Sequence, residues 1–113
     1  MKFLFNLFFN FLIVLFALSQ ITFAQESVIQ LGEEIFSQNC VACHANGENV
    51  LVQEKTLKIE ALEKFGKNTV EAIVTQVING NLAGMPAFGE RLSDDEIVGV
   101  ASYVLSQAKQ QAW

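Results

Sequence analysis

The stretch Asn39-Cys40-Val41-Ala42-Cys43-His44 contains both cysteines and the only histidine of the 113-residue chain. C-x-x-C-H is the attachment pattern of c-type haem. Two thiols at that spacing add across the haem vinyl groups, and the adjoining imidazole then reaches the iron. Met85 follows His44 by 41 residues, stands directly before the only proline, Pro86, and is the only methionine besides the initiator. A methionine sulfur closing the opposite axial position favours the reduced state and raises the potential. Cys40 and Cys43 are therefore the expected covalent haem sites, and His44 and Met85 the expected axial ligands. With both axial positions filled, no place remains for a substrate, so an electron carrier is expected rather than an enzyme.

Other uses of these residues fit less well. A disulfide across a two-residue gap is a strained loop of little stabilising value. A thioredoxin-type site needs a βαβ context, and a zinc site needs a fourth ligand that the chain does not offer. A lone methionine is usually core filler, but Met85 sits in a glycine-bearing loop before a residue of fixed backbone geometry. His44 needs a carbonyl on its second ring nitrogen to hold its orientation, and Val50–Glu54 is the expected source.

The first residues read as a leader. Met1-Lys2 is basic, Phe3 to Leu18 is apolar except for Asn6 and Asn10, and Thr22-Phe23-Ala24 offers small residues at the −3 and −1 positions of a cleavage site. This is the three-part pattern of a secretory signal peptide. Its uninterrupted apolar run, Phe11 to Leu18, falls short of the ~20 residues that span a bilayer. The expected organisation is a cleaved leader over 1–24 and one domain over 25–113, with no transmembrane anchor after cleavage.

Removing 24 of 113 residues leaves 89, near the lower limit for a self-sufficient core. The domain keeps 6 basic and 12 acidic residues, a formal charge of −6. That argues against nucleic-acid binding, which relies on basic surface. It suits steering toward positively charged docking sites.

Four helical stretches are expected and no strands. The first runs from about Ile29 to Asn39, with Gly32 on the face of Phe36 and suited to close approach by another helix. Leu57–Phe65 is a short helix stopped by Gly66. A third starts after Asn68, with Glu71 completing an Asn-led capping box, and ends at Asn79-Gly80. The last begins at Ser93 with Glu96 as its capping partner, and buries Ile97, Val100, Ala101, Val104, Leu105 and Ala108. Asn81 to Glu90 is an ordered loop carrying Met85. The fold class is all-α, with about four helices wrapped around one covalently bound haem.

The haem stretch, together with Glu54-Lys55-Thr56-Leu57, Thr75-Gln76-Val77-Ile78-Asn79-Gly80, Met85-Pro86-Ala87-Phe88, Arg91-Leu92-Ser93 and Trp113, resembles the cytochrome c6 family. The resemblance covers nearly all of the domain. It implies a class I cytochrome c fold whose terminal helices cross at Gly32, Phe36 and Tyr103. It implies one haem c per chain, electrons collected from the cytochrome b6f complex and delivered to photosystem I, and a thylakoid lumen of plastid or cyanobacterial origin. It also implies that Gln76 lies beside the haem and helps set its potential, and that Arg91 helps dock photosystem I. A monomer is expected, with weak self-association left open. Many relatives have proline where this chain has Gln53, so the loop there loses a fixed dihedral. Two rival functions remain: a periplasmic cytochrome feeding a terminal oxidase or peroxidase, and an enzyme or gas sensor with a labile sixth ligand.

Overall fold

The two ends of the domain are brought together by a pair of glycines. The computed structural model describes all residues, Met1–Trp113, in five α-helices and no strands: α1 (Lys2–Asn39), α2 (Val41–His44), α3 (Ile59–Lys64), α4 (Val70–Asn79) and α5 (Asp94–Gln110). A single 3-10 turn, Ala45–Gly47, follows α2. Helix α1 packs across α5, and α5 also carries α4 and α3. At the α1–α5 crossing Gly32 is buried against the backbone of Gly99. A methyl group placed on Gly32 would lie 1.9 Å from the Gly99 carbonyl oxygen, so the two backbones touch directly. The expected glycine–aromatic crossing is present, with Phe36 and Tyr103 rings 5.4 Å apart beside it.

Helix α1 is longer than the expected Ile29–Asn39. No proline or glycine precedes Gly32, and Asn6 and Asn10 lower helix propensity without breaking the helix. Residues 2–24 therefore run into the first domain helix without interruption. Residues 1–27 are exposed throughout, which accounts for the elongated 68 × 29 × 20 Å shape. As one unbroken helix, this segment is long and apolar enough to cross a membrane, a property that signal sequences near an N-terminus share.

Helix α3 is shorter than the expected Leu57–Phe65. Leu57 is drawn into tertiary bonds instead: its N–H donates to the Gly47 carbonyl at 2.7 Å and its own carbonyl accepts from the Trp113 indole at 3.0 Å. The helix ends in a Schellman arrangement, with Lys67 N–H on the Leu62 carbonyl and Gly66 N–H on that of Glu63. The cap of α4 is Thr69 rather than Asn68: Thr69 is extended and its hydroxyl accepts from Ala72 N–H at 3.1 Å. The Ser93–Glu96 capping box of α5 forms reciprocally, at 3.2 and 2.9 Å.

All six apolar residues expected on the inner face of α5 are buried, joined by Ile35, Phe36, Leu62, Ile73, Val77 and Phe88. This is a thin core. Burial gives about 25 cal/mol per Å² of apolar area, and the helices leave a cavity where more of it would otherwise lie.

Candidate functional site

Cys40 closes α1 and opens α2. Its N–H donates to the Phe36 carbonyl, and its own carbonyl accepts from Cys43 N–H at 3.2 Å and His44 N–H at 2.9 Å. Cys40 and Cys43 are thus one helical turn apart and share a face. Both are half-buried and unbridged. Burial pushes the Cys40 thiol up to about 11, with the neighbouring Cys43 adding to the shift.

After His44 the chain reverses sharply through Asn46, at φ 58°. The reversal returns the Glu48 carbonyl to within 2.9 Å of His44 Nδ1. A carbonyl only accepts, so Nδ1 carries the proton and Nε2 keeps its lone pair free for a metal. The expected source, Val50–Glu54, is not the one used, because the tight turn brings a nearer carbonyl into place first. The exchange of proline for Gln53 consequently has no direct bearing on the His44 tautomer. Asn49 organises the following loop: its side-chain oxygen accepts from Leu51 and Val52 N–H, and its amide donates to the Lys55 carbonyl.

Met85 is held from three directions. Asn81 Oδ1 accepts from the N–H groups of Gly84 at 3.1 Å and Met85 at 3.2 Å, while Asn81 N–H donates to the Met85 carbonyl at 3.1 Å. Gly80 ends α4 at φ 60°, ψ −156°, a backbone region open essentially to glycine alone. A Cβ there would also lie 2.4 Å from the Met85 carbonyl oxygen. Beyond the loop, Phe88 N–H returns to the Val77 carbonyl at 2.9 Å and anchors the segment on α4. The Gln76 amide, projecting from α4, donates to the Gly80 carbonyl at 3.2 Å and faces Met85 Sδ at 3.6 Å.

These pieces line one cavity of about 470 Å³. Cys40, His44, Gln76 and Met85 border it, with apolar walls from Phe36, Leu57, Leu62, Ile73, Val77, Val100 and Val104 and polar groups from Asn49, Lys55 and Lys67. Such a volume lies within the ~300–1,000 Å³ of cofactor sites. The residues fit a c-type haem: a thiol on the wall, an oriented imidazole with a free nitrogen, a thioether sulfur, and apolar surface for a macrocycle. Cys43 stands beside the cavity on α2, outside its lining. Arg91 is not brought to it. Its guanidinium lies 5.6 Å from the centroid of the buried Phe88 ring, and it has no ion pair, the sole salt bridge being Lys58–Glu48.

Asn49, Asn81 and Glu48 are supporting residues that the spacing of ligands does not announce. Asparagines in loops favour turns that their own side chains close, which is the one signal available for the first two. Glu48 acts through its backbone, and backbone roles leave no mark on residue type.

An all-α domain whose end helices cross beside a C-x-x-C-H turn, with an apolar cavity between them, defines the class I c-type cytochromes. A family model described as cytochrome c oxidase, cbb3-type, subunit III matches residues 27–104. The chain is 61% identical over 82 residues to cytochrome c6 of Bumilleriopsis filiformis, spanning 73% of this chain and 94% of that protein. It is 50% identical over 101 residues to cytochrome c6 of Pyropia yezoensis, spanning 89% and 87%. The solved structure of cytochrome c6 from the diatom Phaeodactylum tricornutum superposes with a TM-score of 0.71 at 50% identity, covering 75% of this chain and 98% of that one. The chain belongs to the cytochrome c6 family. It is an electron carrier with one covalent c-type haem, and not an enzyme.

Proposed function

We propose that this chain carries single electrons from the cytochrome b6f complex to photosystem I, and that Cys40 and Cys43 would hold the haem by thioether bonds while His44 Nε2 and Met85 Sδ would ligate its iron. Bound haem supplies the one-electron exchange itself. The side chains hold and tune it. The Glu48 carbonyl fixes the His44 ring, Asn81 fixes the Met85 backbone, and the Gln76 amide directs a partial positive charge toward the sulfur. The apolar walls exclude water, so little solvent needs to rearrange when charge moves. Leu51 and Leu82 are exposed next to the lining residues Val52 and Ala83 and offer an apolar contact surface at the cavity mouth, with Arg91 as a separate charged contact.

The observation that carries the reading is His44 and Met85 facing one apolar cavity, each held by a dedicated hydrogen bond, in a chain with cytochrome c6 relatives. Residues 1–24 act as a leader removed on export to the thylakoid lumen. The second reading, donation to a terminal oxidase, is favoured by the oxidase name of the matched family model. Flash-induced reduction of photosystem I separates the two. Rapid, saturable reduction by the matured protein supports the proposal. Rates no better than those of a free small-molecule donor, alongside efficient oxidase turnover, would replace it with the second reading.

A further inference from the structure

The last residue of the chain covers the turn that holds His44. The Trp113 indole donates to the Leu57 carbonyl at 3.0 Å and packs against Phe36 and Tyr103, with ring centroids 5.4 and 6.0 Å away. Its ring lies on Gly47. A Cβ at Gly47 would meet Trp113 Cγ at 2.5 Å, and Gly47 is buried at φ +71°. Gly47 immediately precedes Glu48, whose carbonyl accepts from His44 Nδ1.

The same small region is tied twice more. Leu57 N–H donates to the Gly47 carbonyl at 2.7 Å, and Lys58 Nζ pairs with Glu48 Oε1 at 2.7 Å. That ion pair is half exposed, so screening leaves it weak. The indole is the apolar element of the strap, and it spans 56 residues of sequence. Its approach depends on Gln111 adopting a left-handed conformation, φ 53° and ψ 44°, which folds the end of the chain back on itself. A non-glycine residue holds that conformation at a cost, and docking of Trp113 offsets it.

We infer that Trp113 is a positioning residue for the iron ligand: it presses the Gly47–Glu48 turn into the form that keeps the Glu48 carbonyl on His44 Nδ1. A metal-bound histidine depends on such a partner for its tautomer and ring orientation. Loss of the cover loosens the partner while leaving Cys40, Cys43, His44 and Met85 in place. The inference rests on His44 being the iron ligand.

The test uses the holoprotein and reads exchange of the His44 Nδ1 proton by NMR in the ferrous form. Trp113→Ala is expected to speed this exchange roughly tenfold or more, as local opening of the turn becomes easier. Trp113→Phe keeps the ring and loses the N–H donor, and is expected to stay within about threefold of the parent because packing is the larger contribution. Ile97→Ala removes a core side chain outside the cavity lining and reports what lost global stability alone does. Unchanged exchange in Trp113→Ala, or an equal acceleration in Ile97→Ala, would overturn the inference. Absence of hyperfine-shifted His44 resonances in the ferric parent would instead remove His44 from the iron, overturning the ligand assignment itself.

Discussion

Gly32 and Gly99 meet at the same helix crossing, yet the structure assigns them opposite tolerance to a methyl group. A Cβ on Gly32 would lie 1.9 Å from the Gly99 oxygen, 2.4 Å from its carbonyl carbon and 2.8 Å from Tyr103 Cβ. An ordinary carbon–oxygen contact is ~3.3 Å, so α1 and α5 would have to separate by about 1.4 Å. Overpacking of this kind costs ~1–3 kcal/mol, and backbone against backbone belongs at the upper end. Alanine's better helix propensity returns ~1 kcal/mol. The net loss for Gly32→Ala is about 2 kcal/mol, a fall in Tm of ~8–16 °C for a domain of this size. On Gly99 the new Cβ would meet Gly32 N and the Val28 oxygen at 3.3 Å and Leu31 Cγ at 3.5 Å. A shift of a few tenths of an ångström accommodates it, and the propensity gain leaves Gly99→Ala within ~1 kcal/mol of the parent. Thermal unfolding of the ferric holoprotein, followed by far-UV circular dichroism, measures both. Equal losses at the two sites, or a stable Gly32→Ala, would refute the contact geometry.

Gln76→Val removes the N–H directed at Met85 Sδ, and with it a dipole that favours the reduced state. One such hydrogen bond is worth ~1 kcal/mol, so redox titration should show the potential lower by about 40 mV (at 59 mV per tenfold for one electron); an unchanged or higher value would remove Gln76 from the tuning. Arg91→Glu should slow photosystem I reduction at low salt and converge with the parent as salt screens the contact; a salt-independent difference would place its effect elsewhere. Gln111→Gly relieves a left-handed non-glycine residue and should stabilise by about 1 kcal/mol, seen as a Tm higher by ~4–8 °C; a lower Tm would show that Gln111 is not strained there.

Much of this was legible because chemistry-bearing residue types are scarce. One histidine, one proline and one methionine beyond the initiator left few ways to build the site, and the structure brings Cys40, His44, Gln76 and Met85 to one cavity. The 3–4 spacing on α5 predicted six of its seven buried residues, since periodicity follows burial; the seventh, Gly99, is buried by the backbone of α1 at the helix crossing. Boundaries were less legible. Leu57 was lost from α3 because Gly47 and Trp113, far away in sequence, claim its backbone. The cap moved from Asn68 to Thr69 because adjacent residues of similar capping ability are separated only by backbone conformation. The carbonyl on His44 came from Glu48 because one left-handed residue, Asn46, turns the chain earlier than composition suggests. The continuous helix from residue 2 to Asn39 reflects the lack of any breaker before Gly32.

The account depends on a haem covalently joined at Cys40 and Cys43 and ligated by His44 and Met85. Visible spectroscopy combined with intact mass, on protein matured in its own compartment, tests this most directly. The expected result is a chain beginning near Gln25, heavier by one haem, with no titratable thiol and a weak sulfur-to-iron band at the red end of the ferric spectrum. A colourless product with two free thiols would contradict it.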